Sequence, residues 1–121
     1  MKTNTYISIG CQKIEVILYN DVLMKQGNRQ GIYHIDQIVN GKRSWKTDSQ
    51  GIWFVPQFND WAIGSLEYFG SNLRGLSSWD DYSNVNPFDV PIDKWRYYDN
   101  GFKVCFGYKK QAKNQIGFWK C

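Results

Sequence analysis

The residues with the most evident binding chemistry lie in one polar stretch of the chain, from Trp79 to Asn84. Trp79 and Tyr82 offer flat aromatic faces, and Asp81 and Asn84 offer hydrogen-bonding groups beside them. Sugar recognition combines a stacking surface with a few polar groups in this way. We therefore predict a ligand site at these four residues. The alternative is that Trp79 packs beneath the loop as a satellite of the core.

Several carboxylates follow one another in the same region, and calcium prefers carboxylate and carbonyl oxygens as ligands. Their spacing at Asp80, Asp81, Asp89 and Asp93 matches no EF-hand loop. A segment rich in Asp, Asn and Ser is typical of Asx turns, in which these side chains bond to their own backbone. The sequence therefore predicts no metal site and no cofactor.

Catalytic chemistry has little support in the sequence. The single histidine, His34, alternates with Tyr33 and Ile35 in a strand pattern, and no second histidine exists to complete a zinc site with it. Ser77 and Ser78 lie in no nucleophile elbow, and no cysteine–histidine spacing resembles that of a thiol protease. We predict no catalytic residues and a protein that is not an enzyme.

The chain contains three cysteines, and strand alternation places two of them on outward faces. Cys11 shares its face with Lys13, and Cys105 shares its face with Lys103. Because the terminal strands of a domain often pair, we predict a disulfide between Cys11 and Cys105, with free thiols as the alternative. Cys121 is then left for an intermolecular bond, or unpaired; a competing bond through Cys121 would tie the C-terminal segment to the body.

The elements that must position these residues are strands joined by tight turns. Asn40-Gly41 and Asn100-Gly101 each stand between β-rich runs, and this dipeptide is the strongest short signal for a two-residue hairpin turn of type I′. Alternating or continuous apolar patterns predict the strands. They cover residues 13–19, 32–39, 42–47, 52–55, 61–63, 66–69, 95–98 and 102–108.

The segment from Gly51 to Gly64 is the predicted centre of the fold. Its apolar run, residues 52–55, ends at Pro56 and suits a strand that is covered on both faces. Three tryptophans recur every eight residues on successive strands and are predicted to be core: Trp45, Trp53 and Trp61. The predicted fold is all-β, a single-domain antiparallel sandwich or barrel built from hairpins, with little or no helix. Residues 20–31 are predicted to form a polar loop, with a short strand at residues 22–24 as the alternative within it.

Chain length and net charge indicate the number of domains and the kinds of partner. A chain of 121 residues with 42% hydrophobic content suits one domain. We divide it into a lead-in at 1–10, an all-β domain at 11–108, and a basic C-terminal tail or final strand at 109–121. The net charge of +4 is compatible with an anionic partner, although a solvated tail is the simpler explanation. The sequence predicts neither membrane insertion nor a signal peptide, since both need a longer apolar run.

Short motifs resemble those of a poorly characterised module of about a hundred residues. They are Cys11-x-x-Ile14, Gly31-x-Tyr33, Asn40-Gly41, Ile52-Trp53, Trp61-x-Ile63-Gly64, Pro91-x3-Trp95 and Val104-Cys105. The module recurs in secreted and cell-surface proteins of protists and marine invertebrates. The resemblance implies an extracellular β domain that is bracketed by a disulfide and serves adhesion or recognition.

From these observations we expect a non-enzymatic recognition or adhesion module whose partner is a carbohydrate or a protein surface ligand. One alternative is a structural subunit that associates through its edge strands or Cys121. Another is a small β-barrel that binds single-stranded nucleic acid, since aromatic residues interleaved with Lys and Arg can stack bases and neutralise phosphates.

Overall fold

Nine strands form one antiparallel sheet within residues 12–104 and 116–120, the part of the chain that the structure, a computed structural model, describes. Their order across the sheet is β8-β7-β6-β5-β4-β3-β2-β1-β9. The strands are β1 Lys13–Leu18, β2 Gly31–Val39, β3 Lys42–Lys46, β4 Gln50–Val55, β5 Asp60–Ser65, β6 Leu76–Ser78, β7 Trp95–Tyr98, β8 Phe102–Val104 and β9 Ile116–Lys120. The prediction of an all-β single domain is confirmed.

The sheet curls into a half-barrel rather than lying flat. Helix α1, Asn20–Gln26, follows β1 in the chain. Its Gln26 side chain nevertheless reaches the backbone of β7, a strand that lies near the other edge of the sheet. There the Gln26 Nε2 donates to the Tyr98 carbonyl oxygen at 2.8 Å. The right-handed twist of neighbouring strands accumulates into such a curl.

Helix α1 lies where a polar loop was predicted, and that prediction is wrong. Val22 and Gln26 are buried and stand four residues apart, so they share the face that packs against the sheet. A helix of seven residues shows only one such pair, which is too little to produce a recognisable helical period. The predicted strand at 66–69 is also replaced, by a 3₁₀ turn at Leu66–Tyr68. Further 3₁₀ turns lie at Gly27–Arg29, Pro87–Asp89 and Ile92–Lys94.

The two predicted hairpin turns have different outcomes. Val39 pairs with Lys42, and Asn40 and Gly41 between them have φ values of 55° and 84°, as a type I′ turn requires. The first turn is therefore confirmed.

The second turn has three residues instead of two. Tyr98 pairs with Phe102, which leaves Asp99, Asn100 and Gly101 in the loop, and the Asp99 N–H donates to the Gly101 carbonyl at 2.9 Å. The register of the flanking strands decides this, and an Asn-Gly dipeptide alone does not specify the register.

Both faces of the central strands are buried, as the apolar run in β4 predicts. The larger cluster lies on the face that carries Ile52, Trp45 and Trp61. Trp53 lies on the opposite face in a smaller cluster with Val55 and Ala62, against which Phe69 packs. All three tryptophans are at most 1% exposed, so their predicted place in the core is confirmed.

Strand β1 has a neighbour on each side, β2 and β9. Strand β8, which leads toward Cys105, is the last strand at the opposite edge of the sheet. The neighbour relation on which we based the Cys11–Cys105 disulfide is therefore not the one formed. The residues concerned, together with Cys121, lie outside the described residues, and the bond itself stays a prediction. Within the described residues, no helix is long and apolar enough to cross a membrane.

Candidate functional site

The predicted site at Trp79–Asn84 folds back onto the body of the protein. The Lys94 ammonium lies 4.3 Å from the centroid of the Trp79 ring and forms an ion pair of 2.9 Å with Asp80. A cation over an aromatic face is an attractive contact that occupies that face. Trp79 is partly buried, so its ring is less available to a ligand than the sequence predicted.

The other three predicted residues are not brought together as one site. Asp81 accepts hydrogen bonds from the backbone and hydroxyl of Ser83, in an Asx turn. Tyr82 is partly buried and packs against the main core. Asn84 lines a polar cleft of about 280 Å³. The remaining residues of this cleft are Gly41, Lys42, Arg43, Trp61, Ser83, Val85 and Asn86.

A larger concavity lies at the opposite end of the sheet, and we call it the tyrosine groove. Its volume is about 360 Å³, within the size range of small-molecule sites. Its walls are formed by Tyr68, Leu73, Tyr98 and Phe102, and its polar lining by Arg29, Ser65, Asn72 and Arg74.

The strand register explains how residues so distant in sequence meet there. Strand β5 ends at Ser65, β7 ends at Tyr98, and β8 begins at Phe102. Because neighbouring antiparallel strands run in opposite directions, these termini lie at the same end of the sheet. The Gly41 turn and the polar cleft lie at the other end.

The apolar walls of the groove are unusually exposed for such large side chains. Tyr68, Leu73 and Tyr98 are 41%, 56% and 49% exposed, and Phe102 is 38% exposed. Single exposed apolar residues are normal on a protein surface, but several converging on one concavity mark an interaction site.

The positive charge of Arg74, at one side of the groove, is neutralised by the buried carboxylate of Asp60. The Arg74 Nη2 lies 3.3 Å from the Asp60 Oδ2, which also lies 4.0 Å from the Arg96 guanidinium and accepts a hydrogen bond from the Ser77 hydroxyl. Asp60 is only 2% exposed. Burial raises the pKa of its carboxyl, against the opposing influence of Arg74, Ser77 and Arg96. This network fixes Arg74 in place at the groove.

Two phenylalanine faces near the groove are already covered by these arginines. The Arg74 guanidinium carbon lies 4.9 Å from the Phe58 ring centroid and 5.2 Å from that of Phe102. The Arg96 guanidinium also lies 5.2 Å from Phe102. The rings left for a ligand are therefore those of Tyr68 and Tyr98, of which Tyr98 touches Phe102 edge-on.

Arg29 is held rigidly by neutral side chains. Its Nε donates to the Gln26 Oε1 at 3.0 Å, and its Nη1 donates to the Gln50 Oε1 at 2.6 Å. The Tyr33 hydroxyl donates to its backbone carbonyl oxygen. Burial lowers the pKa of the Arg29 guanidinium, with an opposing contribution from Tyr33. No carboxylate pairs with Arg29 within the described part of the chain.

The position of the Arg29 side chain also depends on the absence of a side chain at Gly75. A Cβ atom at Gly75 would lie 2.0 Å from the Gln26 Oε1 and 2.6 Å from the Arg29 Nε. Only glycine permits such a close approach of two polar side chains to the backbone. Gly75 thus allows Arg29 to occupy the groove.

Metal-ligating side chains do not cluster in the described residues: no group of three or more His, Cys, Asp or Glu is placed to hold an ion. His34 lines a separate surface pocket with Gln12, Lys13 and Ile35.

The tyrosine groove is the feature that sequence reasoning missed. Tyr98 and Phe102 were predicted only as strand residues beside a turn, and Arg29 only as part of a loop. The one local signal was the excess of aromatic residues, 17% of the chain, over the needs of a small core. Their convergence depends on strand order, which the sequence alone does not give.

Fold and groove together define an all-β domain with an aromatic, cationic concavity at one end of a curled sheet. No protein family, curated protein or solved structure matches the chain. The resemblance noted from its short motifs stays a prediction.

Proposed function

We propose that this protein is a non-catalytic recognition module that binds carbohydrate in the tyrosine groove. The observation that carries the proposal is the pair of exposed rings, Tyr68 and Tyr98, on the walls of one concavity. A tyrosine ring offers an apolar face to the C–H groups of a sugar ring and a hydroxyl to its oxygens.

The polar lining supports the same class of ligand. Ser65 and Asn72 place hydroxyl and amide groups beside the rings, and Arg29 and Arg74 add fixed donors. Sugar hydroxyls require several such donors and acceptors around an apolar surface. The resemblance to secreted modules suggests a cell surface as the setting, where this binding would serve adhesion.

Single-stranded nucleic acid is a less suitable ligand for this surface. Stacking of successive bases needs a series of open aromatic faces along a basic path. Here Lys94 covers a face of Trp79, and arginines cover Phe58 and Phe102. The open rings of Tyr68 and Tyr98 lie in one groove, which suits a short ligand.

The experiment is a titration of the protein with a panel of soluble oligosaccharides, followed by calorimetry on each one that binds. Tyr98→Ala and Tyr68→Ala should each weaken binding about fivefold or more, because truncating an anchoring aromatic residue commonly costs over about 1 kcal/mol. Tyr19→Ala is the matched control, since Tyr19 is 39% exposed and lies outside the groove. It should bind as wild type does.

A parallel titration with a short oligothymidylate tests the alternative. If that strand binds and its affinity falls steeply between about 50 and 200 mM salt, the partner is nucleic acid and the proposal is wrong. Equal losses in the Tyr19 and Tyr98 variants would place the site elsewhere on the surface.

A further inference from the structure

Arg29 differs from the arginines and lysines that form ion pairs in the structure. Arg74 and Arg96 share Asp60, and Lys94 pairs with Asp80. Two nitrogen atoms of Arg29 instead donate hydrogen bonds to the amide oxygens of Gln26 and Gln50, which carry no charge. Its charge is therefore held in place by the described residues without being neutralised by them.

One nitrogen of the Arg29 guanidinium has no hydrogen-bond partner among the described residues. Within the described part of the chain, Nη2 forms no hydrogen bond, and Arg29 lines the tyrosine groove. A guanidinium whose other nitrogens are fixed keeps its fork in one orientation, so little freedom is lost when an acceptor arrives. The site is preorganised for an anionic acceptor.

The groove has no acidic residue to compete for that position. Its eight lining residues include two arginines and neither Asp nor Glu. A partly buried cation without a counter-charge is unfavourable, and an anion that enters the groove removes this cost. Charge complementarity therefore selects among the sugars that the rings could hold.

We propose that the ligand is a carboxylated carbohydrate, such as a uronic acid or sialic acid residue, whose carboxylate pairs with Arg29 while its ring lies against Tyr68 or Tyr98. This inference rests on the proposed carbohydrate function and narrows its ligand class. Gln26 and Gln50 act as positioning residues that aim the guanidinium, and Gly75 leaves the room for it. A carboxylate suits this position because a hydrogen bond between an ionised donor and an ionised acceptor is about twice as strong as one between neutral groups.

The test compares sugars that differ only at the carboxyl group. The probes are tetragalacturonate and its full methyl ester, and 3′-sialyllactose and its methyl ester, titrated by calorimetry. For at least one pair, the wild-type protein should bind the acid at least about tenfold more tightly than the ester, as expected for a charge-assisted hydrogen bond. This comparison needs no substitution and so does not depend on how a variant folds.

The variant Arg29→Gln should bind the acid and the ester with similar affinity. Arg43→Gln is the matched control, because it removes the same charge by the same substitution in the polar cleft at the opposite end of the sheet. It should keep the preference for the acid. Arg29→Lys retains the charge but not the planar fork, and it should retain only part of the preference.

The outcomes separate this inference from the proposed function. Equal binding of acid and ester by wild type overturns the carboxylate inference and leaves carbohydrate binding in the groove intact. A preference that survives in Arg29→Gln overturns the role of Arg29. Failure of every acid and ester, together with failure of the neutral sugars in the wider panel, overturns both proposals.

Discussion

Gly75 is the residue on which the position of Arg29 depends most directly. A methyl group there would overlap the Gln26 and Arg29 side chains at 2.0 and 2.6 Å. Gly75→Ala should therefore displace Arg29 from the groove and lower the free energy of unfolding by about 1–3 kcal/mol, the usual cost of overpacking. Urea denaturation measures the stability change, and calorimetry with the acidic sugars measures the accompanying loss of binding.

Gly27→Ala is the control for that substitution. Gly27 has a right-handed helical backbone with φ of −59°, and the nearest atom to an added Cβ is Leu23 Cδ1 at 3.7 Å. The free energy of unfolding of the Gly27→Ala variant should stay within about 0.5 kcal/mol of the wild-type value or rise slightly. A Gly75 variant as stable as this control would show that the two side chains can move aside freely.

Tyr33 makes stability depend on alkaline pH. Burial raises the pKa of its phenol above the ordinary value of 10.0. The unfolded chain therefore ionises this group near pH 10 while the folded protein keeps it protonated. Its contribution is constant at lower pH, and the free energy of unfolding falls as pH rises above about 10.

Tyr33→Phe should flatten that alkaline fall. At neutral pH it should cost about 1 kcal/mol, because the hydroxyl donates to the Arg29 carbonyl. Urea midpoints between neutral pH and about pH 11 measure both effects, with exposed Tyr19→Phe as the control. An unchanged pH dependence in the Tyr33 variant would contradict the assignment.

At the scale of elements, the β2–β3 hairpin depends on the left-handed backbone of its turn. Gly41 has φ of 84°, and no atom lies within 4 Å of the position of an added Cβ. Gly41→Val should therefore destabilise the protein through backbone strain alone, by about 1–3 kcal/mol. Thermal unfolding measures the change, and a wild-type melting temperature would contradict a type I′ turn.

The same turn shows why some elements could be predicted and others could not. Asn40-Gly41 encodes its turn locally, and the apolar run in β4 encodes burial on both faces, so both predictions are correct. Asn40 also donates to the carbonyls of Phe54 and Gly70, at 2.8 and 3.0 Å, which its neighbours in sequence do not foretell. Contacts of this kind depend on the strand order.

The place of the candidate site also depends on the strand order and is not encoded by the local sequence. Trp79 and Tyr82 have the residue types of a sugar site, but Lys94 and the core take up much of their surface. Tyr68 and Tyr98 carry the same chemistry and lie thirty positions apart in the sequence. Only the antiparallel arrangement of β5 to β8 brings them to one groove, so residue types predicted the class of site but not its place.

At the scale of the whole molecule, the sheet joins the beginning of the described chain to its end. Strand β9 pairs with β1 from Ile14 opposite Lys120 to Leu18 opposite Ile116. The sequence alone is compatible with either a basic tail or a final strand in this segment. Its pairing gives β1 a neighbour on each side, so that β1 is not an edge available to other chains.

Ile116 tests that arrangement. It is fully buried in the main cluster with β1 residues such as Val16. Ile116→Ala should lower the free energy of unfolding by about 2–5 kcal/mol, because it removes buried methyl groups and leaves a cavity. Met24→Ala is the control, since Met24 is 77% exposed and its truncation should change stability by no more than about 0.5 kcal/mol. If the Ile116 variant were as stable as the Met24 variant in urea, residues 116–120 would be a solvated tail, and β1 would form an edge of the sheet.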